Sequence, residues 1–273
     1  MESAPLYHLL KLNWRADMSR KIKTWRDPYD EGFSTTKLKE IEFEPGLTVL
    51  VGCNGAGKTT LLHNIKEVLL KENIPTYSYD NTKDNVTNKF DSFALKGDFS
   101  IISSSLCSSE GENINISLNK LAPKLKKFID IGWSPEDDRK QRAANLYGET
   151  YKFENASKER WILLDAIDSG FSIDNVINLK GFFNLLILEA ERQGFTLYII
   201  VSANEYELAN GENCFDVLEG KYITFENYES FKKFILKTSD KKFKRNQRSE
   251  ETAEERKRKR EEKRNKWEIK RKE

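Results

Sequence analysis

Two stretches near the amino end alternate apolar and polar residues, 6–14 (LYHLLKLNW) and 37–44 (KLKEIEFE). That is the period of half-exposed antiparallel strands. The polar segment between them carries Asp27, Pro28, Asp30, Glu31 and Gly32 and reads as a surface loop. A Pro45-Gly46 turn leads into a short apolar strand over 47–51 that stops at Gly52. Leu61, Leu62, Ile65, Val68 and Leu69 then recur at helical spacing until Asn73-Ile74-Pro75.

Beyond Pro75 the pattern predicts a strand at TYSYD, a polar Asn/Asp-rich stretch through Lys89, an apolar segment over 99–106 and a helix over 112–129. Residues 135–157 are highly charged without a sustained period and read as a surface insertion or partly ordered loop. From Trp161 the order is strand (WILLD), loop, helix, strand (FTLYIIVS), with Ser172 able to cap the helix and Gly194 able to end it. FDVLEGKYITF, with a Glu-Gly turn, and the amphipathic YESFKKFILK close the body. Apolar strands alternating with helices predict an α/β fold, a mainly parallel sheet covered on both faces, with the antiparallel strands at the amino end beside it.

Charge divides the chain. Of 46 Lys+Arg and 44 Asp+Glu, residues 241–273 hold 16 and 8, so a tail of net charge +8 follows a body of net charge −6. This sets the expected domains at 1–245 and 246–273. Glu254/Arg258, Glu255/Lys259 and Glu262/Lys266 stand at the favourable i, i+4 order, so the tail is either a solvated helix or disordered. Its basic run at 256–260 suits phosphate backbones, and a solubilising or partner-docking role is the alternative.

No apolar run approaches the ~20 residues of a membrane span, and the first residues lack a secretory pattern. Three cysteines at wide spacing build neither a disulfide framework nor a CxxC metal site. The cytoplasm is the expected location, or a host cytoplasm for a viral protein. Two histidines, His8 and His63, leave little material for Ser/His/Asp catalysis or a His-rich zinc site.

The strongest chemical signal is Gly52-Cys53-Asn54-Gly55-Ala56-Gly57-Lys58-Thr59, a GxxxxGK[ST] run between an apolar strand and a helix. Its glycines let backbone N–H groups turn in around phosphates, and the helix N-terminus adds positive potential. Lys58 reaches the outer phosphates and the Thr59 hydroxyl ligates Mg²⁺. ATP and Mg²⁺ are therefore the expected cofactors, with Gly52, Asn54, Gly55, Ala56, Gly57, Lys58, Thr59 and Thr60 in the cradle. The strand WILLD ends in Asp165, 107 residues after Lys58, and is the candidate second metal-holding element.

The run IEFEPGLTVLVGCNGAGKTTLL resembles the N-terminal strand, Pro-Gly turn and NGxGK[ST][ST]L loop of ABC-type ATPase heads. The likeness is to the SMC/RecF-like branch and the small stand-alone ATPases of phage and bacteria. It implies a P-loop NTPase of ABC-ATPase type that closes head-to-tail as a homodimer around two ATP molecules. Ser108-Ser109-Glu110-Gly111-Glu112 resembles the family's Ser-Gly loop, which binds the opposite subunit's ATP; Ser109 and Gly111 would be the trans-acting residues. A helix start capped by serine is the alternative.

Asp165-Ala166-Ile167-Asp168-Ser169-Gly170-Phe171-Ser172 is similar to the family's DEPxSGLS run, and Val201-Ser202-Ala203-Asn204 to its Ser/Thr-x-His strand end. Ala166 stands where the family has its catalytic Glu and Asn204 where it has its switch His. Asp168 is the candidate surrogate for orienting water, and Asn204 retains only amide hydrogen bonding. Slow hydrolysis is the expectation. Tyr29 has the spacing of an adenine-stacking aromatic, with a core-edge aromatic as the alternative. Asp80 or Asn81 falls where the family has a Gln.

Only 51 residues separate Lys58 from Ser109, too few for long coiled-coil arms. The leading function is an ATP-dependent dimerising ATPase acting with nucleic acid or a nuclease partner, in genome maintenance, phage biology or defence. An ATP-loaded scaffold that hardly hydrolyses is the second class. A membrane-transporter subunit is the third, disfavoured by the SSEGE loop, the absent Gln and the tail.

Overall fold

The structure, a computed structural model, describes residues 19–24, 40–80, 110–153, 157–169, 171–244, 247 and 258, with residues 110–120 described by backbone alone. The strands are β1 (Arg20–Lys23), β2 (Glu40–Phe43), β3 (Gly46–Val51), β4 (Thr76–Asp80), β5 (Glu159–Asp165), β6 (Thr196–Ser202), β7 (Asn213–Asp216) and β8 (Lys221–Ile223). The helices are α1 (Lys58–Lys71), α2 (Glu110–Ile131), α3 (Pro135–Leu146), α4 (Ile173–Arg192), α5 (Tyr206–Ala209) and α6 (228–244).

Six strands form one sheet in the order β4-β5-β6-β3-β7-β8, parallel except for the terminal β7–β8 pair. The alternation of side chains along each buried strand sorts the core into two layers. Val49, Val51, Ile162, Leu164, Ile199 and Val201 face α2, α4 and the start of α6. Leu50, Trp161, Leu163, Tyr198 and Ile200 face α1 and the small β1–β2 sheet. There Trp161 stacks on Tyr198 with ring centroids 4.1 Å apart and meets the edge of Phe43 at 5.9 Å.

The antiparallel amino-terminal sheet is present, but the partner of β2 is Arg20–Lys23, inside the stretch read as a polar loop. One apolar residue explains the miss: Ile22 is fully buried while the residues around it reach solvent. Residues 6–14 and 99–106 lie outside the described residues. The charged stretch from 135 is no loop at its start but the helix α3. Local chemistry nucleates it: Pro135 sits in the first turn, and Ser134 and Asp137 form a capping box. The expectation missed it because α3 is largely exposed and needs no apolar stripe.

Ser172 stands at the N-cap of α4 but makes no side-chain cap bond. Gly194, with φ 76°, follows the helix end as expected. Of the tail, only Gln247 and Arg258 are described, both helical. No helix among the described residues is long and apolar enough to cross a membrane.

Candidate nucleotide site

β3 and α1 carry the GxxxxGK[ST] run between them, so the loop sits at the carboxyl edge of the sheet. Its backbone needs glycine where the sequence supplies it. Gly52, Gly55 and Gly57 have φ of 149°, 71° and 101°, and a Cβ on Gly52 would lie 2.9 Å from that of Ala56. The Ala56 N–H donates to the Cys53 carbonyl at 3.0 Å, closing a tight turn, and Gly57 starts α1 by accepting from Leu61 N–H at 2.9 Å.

Lys58 is buried and folds back to donate from Nζ to the Gly52 carbonyl at 2.8 Å. Burial pulls its pKa below the usual lysine value, against the opposing fields of Asp168, Cys53 and Asp165. Thr59 and Thr60 are exposed at the mouth of the loop.

The sheet order places β6 between the P-loop strand and the acid strand β5. Ser202, at the end of β6, is thus adjacent to both: it is paired with Leu50 and donates from Oγ to Asp165 Oδ1 at 2.5 Å. The same hydroxyl accepts from Ala166 N–H at 2.7 Å, where the chain turns with Ala166 at φ 49°. On the other side of β5, Asp80 is in register with Asp165, so two carboxylates stand side by side at the carboxyl edge.

These donors fit Mg²⁺ in the manner of P-loop sites. One exposed hydroxyl (Thr59) and one carboxylate (Asp165) would share the ion with phosphate oxygens and water, a cation that keeps much of its hydration. No cluster of three or more His, Cys, Asp or Glu among the described residues forms a protein-only metal cage.

A family model of the AAA domain, AAA_23, matches residues 31–273. The chain belongs to the AAA domain family. No curated protein matches it. The AAA domain match and the parallel sheet make this chain a P-loop NTPase, and its match continues through the residues separated above as a tail.

Within this AAA domain, Asp168 is fully buried. Its Oδ2 accepts from the main-chain N–H groups of Asn204 at 2.7 Å and Glu205 at 2.8 Å, and its Oδ1 has no hydrogen-bond partner among the described residues. Burial pushes its carboxyl above the ordinary aspartate range, and the two N–H bonds oppose that. Asn204 is exposed, with its amide 3.4 Å from Ser169 Oγ. Asp168 and Asn204 are therefore brought together, through the backbone that follows β6.

Gly111 lies in the first turn of α2, which begins two residues earlier than expected, at Glu110. Ser109 and Tyr29 lie outside the described residues. Ser202 is the residue whose role the sequence left unread. Its signals were a hydroxyl at the end of an apolar strand and the likeness of 201–204 to a Ser/Thr-x-His strand end, neither of which names its partners; its two bonds span 37 and 36 residues.

Proposed function

We propose that this P-loop ATPase binds Mg-ATP, dimerises head-to-tail on it, hydrolyses it slowly and couples that cycle to nucleic acid or a nuclease or other protein partner. The observation that carries the Mg-ATP part of this reading is the Ser202 bridge: its hydroxyl binds the acid Asp165 while its strand β6 pairs with the P-loop strand β3.

In this reading Lys58 keeps one of its three N–H donors on the Gly52 carbonyl and offers the others to the outer phosphates, and the cradle residues Asn54, Gly55, Ala56 and Gly57 supply backbone N–H groups. Thr59 and Asp165 would hold Mg²⁺, whose role is to neutralise phosphate charge. Thr60 lies at the helix N-terminus beside them. Asp168, with one oxygen free of hydrogen bonds among the described residues and a raised pKa, is the candidate to orient water in place of the Glu that Ala166 replaces. Asn204, tied to Asp168 through its main chain, would contact the γ-phosphate by its amide. Tyr29 would stack on adenine. Ser109 and Gly111 would reach the ATP of the second subunit, which makes the interface two-fold and isologous.

The test is the molecular mass in solution with Mg-ATP and without nucleotide, beside steady-state ATP hydrolysis. ATP should shift wild type from monomer to dimer and leave Lys58→Ala monomeric. A wild type that binds ATP yet stays monomeric sinks the dimer. The second reading, an ATP-loaded scaffold, is favoured by Ala166 at the expected catalytic position; it predicts dimerisation without measurable turnover.

A further inference from the structure

The helix α6 belongs to the nucleotide site, although nothing in its sequence marks it as such. Its first half is core: Phe231 packs on Phe225 at 5.1 Å between ring centroids and on Tyr206 at 5.7 Å. Its second half reaches the P-loop. Thr238 is buried; its Oγ1 donates to the Ile235 carbonyl at 2.8 Å and accepts from Cys53 N–H at 3.2 Å. Lys242, one turn later on the same face, donates from Nζ to the Asn54 carbonyl at 2.8 Å. Its ammonium lies so close to Gly55 that a Cβ there would be 2.5 Å away.

The planarity of the peptide gives these contacts a consequence inside the loop. In a trans peptide the C=O and the N–H point in opposite directions, so holding one end aims the other. Thr238 holds the N–H of the Gly52–Cys53 peptide, and the Gly52 carbonyl at its other end is the acceptor of Lys58. Lys242 holds the carbonyl of the Asn54–Gly55 peptide, and the Gly55 N–H at its other end faces the opposite way. One side chain thereby seats the phosphate-binding lysine and the other directs a cradle donor.

We infer that Thr238 and Lys242 are positioning residues for nucleoside-triphosphate binding, acting through the peptide planes of the P-loop. The inference rests on the reading of this loop as the ATP cradle. A charge-assisted hydrogen bond to Asn54 has the greater leverage, since neutral bonds are roughly half as strong.

The experiment titrates full-length protein with a fluorescent ATP analogue and Mg²⁺, with circular-dichroism melts of every variant. Lys242→Met and Thr238→Val should each weaken binding about tenfold, equivalent to about 1.4 kcal/mol. Thr238→Ser should stay within about twofold of wild type, because it restores the hydroxyl in the same place, and Lys242→Arg, which keeps an N–H donor of different shape, should recover part of the affinity lost in Lys242→Met. Lys241→Ala removes a neighbouring charge that is paired with Glu219 at 2.8 Å and should leave affinity unchanged.

Affinity unchanged in Lys242→Met and Thr238→Val overturns the inference. An equal loss in Lys241→Ala also overturns it, since the effect would then be general helix charge. If Thr238→Val unfolds, Lys242→Met, on a half-buried side chain near the end of α6, decides alone. Wild type that does not bind the analogue sinks the ATP reading itself, a result distinct from variants that bind as wild type does.

Discussion

The hydroxyl of Ser202 donates to the carboxylate of Asp165 across two neighbouring strands, at 2.5 Å, and in the same geometry accepts the N–H of Ala166 at 2.7 Å. Asp165 is thus aimed by a residue on the strand that also touches the P-loop strand. Ser202→Ala removes both bonds and leaves an N–H without that acceptor, at a cost of about 1–2 kcal/mol. At about 2–4 °C per kcal/mol for a domain of this size, the melting temperature should fall by about 2–8 °C. The Mg²⁺ concentration for half-maximal ATP hydrolysis should also rise, and an unchanged Mg²⁺ requirement would separate Ser202 from the metal site.

Asp168 offers two roles that one pair of variants separates. Asn keeps an oxygen for the N–H groups of Asn204 and Glu205 but cannot take a proton, whereas Ala loses both functions. If Asp168 orients water, Asp168→Asn should bind ATP normally and lose at least tenfold in turnover. If it only holds the segment after β6, Asp168→Asn should turn over as wild type and Asp168→Ala should not. Single-turnover hydrolysis beside nucleotide binding reads the difference.

The same carboxyl predicts a pH dependence of stability. Its folded-state pKa is raised by burial, so the native state holds the proton more tightly than the unfolded chain. Its contribution is most favourable below the ordinary aspartate value of 3.8 and declines as pH rises through the folded-state pKa. Asp168→Asn lacks this decline. Urea denaturation should therefore show the variant gaining on wild type as pH is raised from about 3.5 towards neutrality.

Lys58 has the opposite shift for a base. Burial lowers its pKa, so the native state binds its proton less tightly than the unfolded chain. The penalty is fully present below the folded-state pKa and is relieved as pH rises towards 10.5. Relative to Lys58→Met, nucleotide-free wild type should gain stability across that rise, while Lys58→Met should not bind ATP at any pH.

Removing residues 246–273 tests the basic tail alone. The truncated chain should keep its affinity for ATP and lose nucleic-acid binding, and in the full chain that binding should fall steeply with salt. Nucleic-acid binding that survives truncation would assign it to residues 1–245, whose net charge is −2.

The P-loop, the acid at the end of β5 and the helix–strand order were readable from sequence because each depends on neighbours along the chain. Glycines at 52, 55 and 57 meet φ values that only local turns impose, and continuous apolar runs announce buried parallel strands. The helix α3 was also written locally, in Ser134, Pro135 and Asp137, but in capping chemistry instead of apolar period. Strand β1 was hidden because a four-residue strand with one inward side chain carries too little pattern to stand out.

Tertiary structure decided what lies beside what. Insertion of β6 between β3 and β5 brings Ser202 to Asp165, and the return of the chain after β6 brings the N–H groups of Asn204 and Glu205 onto Asp168. Packing of α6 places Thr238 and Lys242 on Cys53 and Asn54, 185 and 188 residues away. Local sequence sets backbone conformation because its forces act within a turn or two. Hydrogen bonds between distant residues follow only once the two faces of the sheet have been buried and the order of strands is set.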